Sequence, residues 1–245
     1  MGILAVAALG SRVMAASAKP LFRAMRAKPA AQSRQGALAD WPEQATPADA
    51  GLRDPLDYDP TPPDATAAFL SVAADRMREI GGPVWEPAVG GGHMAGELVR
   101  WGFPVIGSDI VDRGWPGTRV RGLYDYAAPP AGARIVVTNP PYCEVSARDG
   151  HGRWLRHLMG LGLDYVAMLL NADWVFARQN GMDELHARWP VSIEYKCCWK
   201  IDFRDGGSPP QRNTWFVWDR AWQGETVSRR LFREWGDRGA QGALL

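Results

Sequence analysis

Apolar residues follow a regular pattern from about Tyr58 onward, where short hydrophobic blocks alternate with longer amphipathic segments. Thr61-Pro62-Pro63-Asp64 predicts a turn and a helix start, and apolar residues at three- and four-residue spacing continue that helix to Ile80. The other predicted helices cover residues 94–101, 155–161 and 175–189. The predicted strands, which are short apolar runs bounded by turn residues, cover residues 83–87, 104–109, 134–138, 165–170, 193–196 and 214–218.

This order of elements predicts an α/β fold built on a mostly parallel central sheet with helices on both faces. The last two strands flank a Gly- and Pro-rich loop at 205–210, which predicts an antiparallel edge at the C-terminal end of the sheet. A chain of 245 residues is long enough for one such domain. We predict that the domain covers residues 58–235, after a weakly structured extension over 1–57 and before a tail over 236–245.

The composition narrows the classes of function. A formal net charge of +1 excludes a strongly basic nucleic-acid binder, so any contacts with phosphates would come from a local patch. Three cysteines and four histidines, without disulfide or metal-ligand spacing, predict a reduced cytoplasmic protein with no metal site. The apolar run at residues 3–9 is too short to span a bilayer, so no membrane partner is expected. The candidate arginines for a phosphate-binding patch are Arg148, Arg153, Arg156, Arg178, Arg204 and Arg212.

A glycine-rich turn follows the first predicted strand. Its sequence is Glu86-Pro87-Ala88-Val89-Gly90, continued by two more glycines, and it stands where open α/β sheets place their ligand sites. The next strand ends in Asp109, at about the distance where an acidic residue meets ribose hydroxyls in nucleotide-binding units. Each feature has a simpler explanation, since glycines make tight turns and an aspartate often caps one. Together they favour an adenosyl or nucleotide ligand.

The third strand leads into Asn139-Pro140-Pro141-Tyr142. Two prolines stiffen the backbone and remove donors, which leaves the Asn139 side-chain oxygen and the Pro140 carbonyl as fixed acceptors. The Tyr142 ring offers a face for a flat substrate. The Pro-Pro pair could instead only steer the chain out of the sheet, but these residue types suit a planar group that carries an amino nitrogen.

On these residues the sequence resembles the N6-adenine DNA methyltransferases of the phage and prophage type, over most of residues 58–220. Asn139-Pro140-Pro141-Tyr142 matches the family's catalytic motif, in which Asp, Asn or Ser precedes Pro-Pro and an aromatic residue. The segments that resemble the family's cofactor-binding motifs are Thr61-Pro62, Glu86-Pro87-Ala88-Val89-Gly90, Asp109-Ile110 for the ribose hydroxyls and Asp125-Tyr126 for the adenine. Their order along the chain is the family's order.

The resemblance implies a Rossmann-like class I methyltransferase fold, S-adenosylmethionine as cofactor and DNA as partner. It also implies that adenine is flipped out of the duplex, stacked on Tyr142 and held at its N6 amino group by Asn139 and the Pro140 carbonyl. No insertion of the size of a target-recognition domain is present, so the recognised DNA sequence stays open. The alternatives are methylation of RNA bases or of protein glutamine, and a non-catalytic methyltransferase-like DNA-binding module.

Overall fold

The computed structural model describes residues 58–204, 206, 209 and 211–233. The extension predicted over 1–57 and the tail predicted over 236–245 lie outside these residues. The helices are α1 (Pro63–Ile80), α2 (His93–Arg100), α3 (Tyr142–Val145), α4 (Arg153–Gly160) and α5 (Met182–Arg188). The strands are β1 (Val84–Glu86), β2 (Val105–Asp109), β3 (Arg119–Val120), β4 (Ile135–Thr138), β5 (Tyr165–Asn171), β6 (Ile193–Cys197), β7 (Asn213–Asp219) and β8 (Val227–Leu231).

All these strands form one sheet in the order β3-β2-β1-β4-β5-β7-β6-β8. Neighbouring strands run parallel except at β7, which pairs antiparallel with both β5 and β6. The register places Val84 opposite Val105 and Ile135, so β1 lies at the centre of the parallel part. The predicted mostly parallel sheet with antiparallel pairing toward its C-terminal end is therefore confirmed, with β8 added beyond β6.

Two strands and one helix differ from the sequence-based expectations. β3 has only two residues, both exposed, and β8 (Val227–Leu231) has a serine and two arginines in its middle, so neither is an apolar run. The helix predicted over 175–189 is wrong in its first part. Residues Ala172–Phe176 form a short 3₁₀ turn, and α5 begins only at Met182. Asn180 and Gly181 both have positive φ, so a right-handed helix cannot continue from the 3₁₀ turn through these two residues into α5.

The helices pack on both faces of the sheet, as predicted. On one face, α1 and α2 bury apolar side chains against the sheet, and Phe69 of α1 stacks on Trp215 of β7 with ring centroids 4.3 Å apart. On the other face, α4 and α5 cover Phe216 and Trp218, which follow Trp215 on the same strand at one and three positions. Because successive residues of a strand point to opposite faces, one tryptophan-rich strand anchors both layers of the core.

The carboxyl ends of β1, β2 and β4 lie next to one another because these strands are adjacent and parallel. Their last residues or immediate successors are Glu86, Asp109 and Asn139, three of the residues that the sequence predicts to carry the chemistry. The fold therefore gathers these side chains at one edge of the sheet. None of the helices in the described ranges is long and apolar enough to cross a lipid bilayer.

Candidate active site

A cavity opens at this edge of the sheet, between the turns that follow β1, β2 and β4 and the segment that precedes α1. The predicted site residues that line it are Thr61, Glu86, Pro87, Ala88, Asp109, Ile110, Asn139 and Pro141. The predicted residues outside this lining are Pro62, Gly90, Pro140, Tyr142, Asp125 and Tyr126. The residues that line it without having been assigned to the site from the sequence include Tyr58, Asp59, His93, Arg113, Leu123, Tyr124, Glu144 and Trp154.

The glycine-rich turn after β1 is held by its backbone amides. Gly90 donates to the Asp109 carboxylate at 2.9 Å, and Gly91 donates to the Tyr58 hydroxyl at 3.1 Å. Gly90 has a φ of +51°, and a Cβ built on it would stand 2.3 Å from the Tyr58 ring. Glycine is therefore required there both by its backbone conformation and by the close approach of the aromatic ring. The guanidinium of Arg113 lies over the Tyr58 ring, 4.2 Å from the ring centre.

Asp109 joins the turns that follow β1 and β2. One of its carboxylate oxygens accepts the Gly90 amide, and the other accepts the Val111 amide at 3.2 Å. A carboxylate oxygen can accept more than one hydrogen bond, so both oxygens keep acceptor capacity toward the cavity that Asp109 lines. This arrangement suits a ligand with a pair of neighbouring hydroxyl groups.

Glu86 lines the cavity and is only 3% exposed. Burial raises the pKa of its carboxyl group well above the ordinary range, and the negative charge of Asp109 raises it further, against a backbone hydrogen bond from Ala95. One carboxyl oxygen, Oε2, has no hydrogen-bond partner among the residues described. Buried polar atoms are normally paired, so Glu86 has an unused acceptor or, when protonated, an unused donor.

Asn139 follows β4 and faces the chain that enters α1. Its side-chain nitrogen donates to Thr61 Oγ1 at 3.1 Å and approaches the main-chain oxygen of Asp59 at 3.4 Å. Its side-chain oxygen, Oδ1, is buried and has no partner within the described part of the chain. The structure thus brings Thr61, which the sequence assigned to cofactor binding, into direct contact with the first residue of the predicted catalytic motif.

Tyr142 begins α3 and lies beside the cavity rather than in its lining. Its ring is partly buried against the core on the α4 side, and its hydroxyl accepts a hydrogen bond from the Asn213 side chain at 3.0 Å. Asn213 is the first residue of β7, 71 positions away in the sequence. No local motif marks Asn213, because only the pairing of β7 with β5 brings it to this edge of the sheet.

The predicted pair Asp125-Tyr126 belongs to a 3₁₀ turn between β3 and β4, and its side chains lie outside the cavity. The Asp125 carboxylate accepts the backbone amide of Gly122 at 3.2 Å, and Tyr126 is buried against Trp85 with ring centroids 4.9 Å apart. The preceding residues, Leu123 and Tyr124, line the cavity instead. The role assigned to Asp125-Tyr126 by resemblance stays a prediction, while its turn does border the site.

Tyr124 belongs to a polar cluster at the rim of the cavity. Its hydroxyl donates to the Glu144 carboxylate at 2.5 Å, and Arg153 forms an ion pair with the same carboxylate. Hydrogen bonding to Arg153 holds the pKa of Glu144 below its usual range. The pKa of Tyr124 is raised, first by burial and then by its hydrogen bond to the Glu144 carboxylate. Arg153 is therefore engaged within the protein as well as exposed to solvent.

Several of the other arginines considered for DNA contact also have partners within the chain. Arg178 pairs with Asp183, Arg204 pairs with Asp59, and Arg156 donates to the main-chain oxygen of Gly181. Exposed pairs of this kind are weak and can exchange a carboxylate for a phosphate. The position of a phosphate-binding patch stays a prediction. Within the described ranges, no group of three or more His, Cys, Asp or Glu side chains could hold a metal ion.

Comparison with known proteins gives structural likeness only. Searches with the sequence match no family model and no curated protein. A proposed RNA methyltransferase from Pyrococcus horikoshii superimposes with a TM-score of 0.50 at 14% identity, covering 67% of this chain and 88% of that one. A proposed class I S-adenosylmethionine-dependent methyltransferase from Listeria monocytogenes superimposes with a TM-score of 0.51 at 12% identity, covering 75% of this chain and 69% of that one. The chain therefore has the Rossmann-like fold of the class I methyltransferases.

Proposed function

We propose that the chain is an S-adenosylmethionine-dependent methyltransferase that methylates the N6 amino group of adenine in DNA. The observation that carries the proposal is the Asn139 side-chain oxygen, a buried acceptor without a partner among the described residues, on a residue that lines the same cavity as Glu86 and Asp109. An unpaired acceptor beside a ligand cavity suits a donor that arrives with the substrate. An amino group supplies such a donor.

The residues of the cavity suit S-adenosylmethionine. Asp109 has acceptor capacity for the two ribose hydroxyls, Ile110 and Leu123 offer apolar contact to the adenine ring, and Glu86 adds a buried carboxyl group. The Gly90 turn keeps backbone close to the ligand space, where a side chain would collide with Tyr58. When bound there, S-adenosylmethionine supplies the electrophilic methyl group that the reaction transfers.

In the proposed reaction the protein positions a nucleophilic nitrogen. Asn139 Oδ1 and the Pro140 carbonyl accept hydrogen bonds from the N6 amino group, which draws its lone pair out of conjugation with the ring. Tyr142, held through its hydroxyl by Asn213, supplies a face on which the flipped base stacks. Catalysis then rests on orientation and on stabilising the positive charge that develops on nitrogen.

The first test is methyl transfer from radiolabelled S-adenosylmethionine to purified substrates. We expect label on double-stranded DNA that contains adenine, and none on a duplex of matched length built only of guanine and cytosine, which has no adenine in either strand. RNA and a protein with an exposed glutamine loop are tested in parallel. Label on either of these with none on DNA would replace the substrate assignment while keeping the chemistry.

The second test removes the acceptor. Asn139→Ala is expected to lower the rate of methyl transfer by about 100-fold or more, since loss of one positioned hydrogen-bonding group in an active site has an effect of that size. Asn139→Asp keeps an acceptor oxygen and is the control, expected to retain measurable activity. Cofactor affinity, measured by calorimetry, should be unchanged in both variants. An Asn139→Ala enzyme with the wild-type rate on DNA would contradict the proposal.

A further inference from the structure

An asparagine at the proposed catalytic position creates a problem of orientation. Its amide has one end that only accepts hydrogen bonds and one end that only donates them. The amino group of a substrate can be held by the oxygen, whereas the nitrogen would meet it donor to donor. The direction in which the Asn139 amide points therefore decides whether the proposed reaction can proceed.

Two groups of the chain that enters α1 fix this direction. The main-chain oxygen of Asp59, 3.4 Å from Asn139 Nδ2, can only accept a hydrogen bond, so it favours the nitrogen on its side. Thr61 Oγ1, 3.1 Å from the same nitrogen, adds a second acceptor. With the nitrogen engaged twice, the oxygen is left as the free end, and it has no partner in the part of the chain that the structure describes.

The segment that carries these acceptors is itself held at several points. The Tyr58 hydroxyl accepts the Gly91 amide at 3.1 Å, and the Asp59 carboxylate pairs with Arg204 at 2.8 Å. Thr61 is 5% exposed and directly precedes Pro62, the N-cap of α1. Anchoring on both sides keeps the two acceptors in place, so the amide of Asn139 has one favoured orientation.

We infer that Thr61, together with the main-chain oxygen of Asp59, is a positioning residue that turns the acceptor end of Asn139 toward the substrate amino group. This inference rests on the proposed function. It assigns Thr61 a role through Asn139, in place of the cofactor contact that the sequence resemblance implies. A cofactor contact would act on cofactor affinity, whereas a positioning residue acts on turnover.

The kinetic test uses Thr61→Val, which replaces the hydroxyl with a methyl group of similar size. We expect kcat to fall about three- to tenfold, the effect of one neutral hydrogen bond, with cofactor affinity unchanged by calorimetry. Thr61→Ser restores the acceptor and should recover the wild-type kcat. Thr66→Val is the matched control, because Thr66 is a buried threonine of α1 whose hydroxyl has no partner among the described residues.

A second background makes the kinetic test specific. In Asn139→Asp, both ends of the side chain are acceptors, so orientation no longer matters and Thr61→Val should cost less than in the wild type. An equal loss in the two backgrounds would overturn the inference. So would a Thr61→Val enzyme whose defect is weaker cofactor binding at unchanged kcat.

A measurement without turnover separates this inference from the proposed function. In ¹⁵N-labelled protein, the side-chain amide signal of Asn139 is identified by its absence in Asn139→Asp. We expect its protons to exchange with solvent at least about threefold faster in Thr61→Val than in the wild type or Thr66→Val. Unchanged exchange would overturn the inference whatever the activity. If exchange is faster in Thr61→Val but the wild-type protein methylates no DNA, the orientation of Asn139 stands and the DNA substrate is rejected.

Discussion

At the scale of single residues, the strongest constraint lies on Glu86. A carboxyl group that is 3% exposed has lost most of its hydration, and Asp109 places a second negative charge near it. Both effects favour the protonated form and raise the pKa of Glu86. An ionised Glu86 therefore destabilises the folded state, which indicates that Glu86 serves the site and not the stability of the fold.

This cost predicts a pH dependence of stability. The folded state binds the Glu86 proton more tightly than the unfolded chain, so its stabilising contribution is complete below the unfolded pKa and is lost as the pH rises through the raised folded pKa. Glu86→Gln cannot ionise. We expect the variant to gain about 1 kcal/mol or more in unfolding free energy relative to the wild type between pH 5 and pH 8.

Urea unfolding at the two pH values, without cofactor, measures the difference between the two proteins. The difference between wild type and variant isolates Glu86, because the other titrating groups are common to both. A difference in unfolding free energy that is the same at pH 5 and at pH 8 would show that Glu86 has no raised pKa in the folded protein.

At the scale of elements, α1 is tied to the sheet by polar as well as apolar contacts. Arg76 of α1 donates twice to the Asp219 carboxylate at the end of β7, at 2.7 and 3.0 Å, while Phe69 stacks on Trp215 of the same strand. The Asp219 side chain is only 8% exposed. This bidentate pair fixes where α1 lies along β7. Because Thr61 comes just before α1, the position of α1 also places Thr61 next to Asn139.

Arg76→Ala is expected to lower the unfolding free energy by about 1–2 kcal/mol. The loss leaves the buried Asp219 carboxylate without its cation, but Arg76 is itself 38% exposed and solvent can partly replace it. Arg78→Ala is the control in the same helix, since its ion pair with Asp75 is exposed, and it should cost less than about 0.5 kcal/mol. Chemical unfolding measures both. Equal losses in the two variants would contradict this account of the α1–β7 contact.

At the scale of the whole molecule, the cavity is formed mainly by the turns at one edge of the sheet, and the packed helices and strands hold these turns in place. The parallel strands β1, β2 and β4 deliver Glu86, Asp109 and Asn139 to one edge, and the chain before α1 closes over them through Tyr58 and Thr61. A ligand in this cavity would contact several separate segments of the described domain, from Tyr58 to Trp154. Its binding should therefore stabilise the folded state as a whole.

We expect S-adenosylmethionine at about 100 times its dissociation constant to add about 2.7 kcal/mol to the unfolding free energy, which corresponds to a rise in Tm of about 5–10 °C for a domain of this size. Asp109→Asn, which replaces an acceptor-only carboxylate with an amide, should reduce the rise at the same concentration. ATP is the control nucleotide and should give no comparable shift. Differential scanning calorimetry measures all three, and no rise with S-adenosylmethionine would reject the cofactor assignment.

The sequence predicted most of the fold, for reasons visible in particular elements. The apolar runs at β1, β4, β5 and β7 are buried and the run at β2 is partly buried, so hydrophobicity alone marked them. β3 and β8 escaped prediction because they are mostly exposed edge strands. Their backbone hydrogen bonds to a neighbouring strand leave no apolar pattern in the sequence. The helix over 175–189 was placed too early because its apolar residues are spaced as in a helix, while the backbone at Asn180 and Gly181 is left-handed.

The sequence by itself determined the parallel core, its two-sided packing and the set of residues at the ends of β1, β2 and β4, since local patterning decides which segments are strands and where they stop. Only the tertiary structure decided which side chains meet. Thr61 and Asn139 are 78 positions apart, Asn213 and Tyr142 are 71 apart, and Asp59 and Arg204 are 145 apart. Hydrogen bonds act over about 3 Å, so contacts between such distant positions exist only after the sheet has brought its strands together.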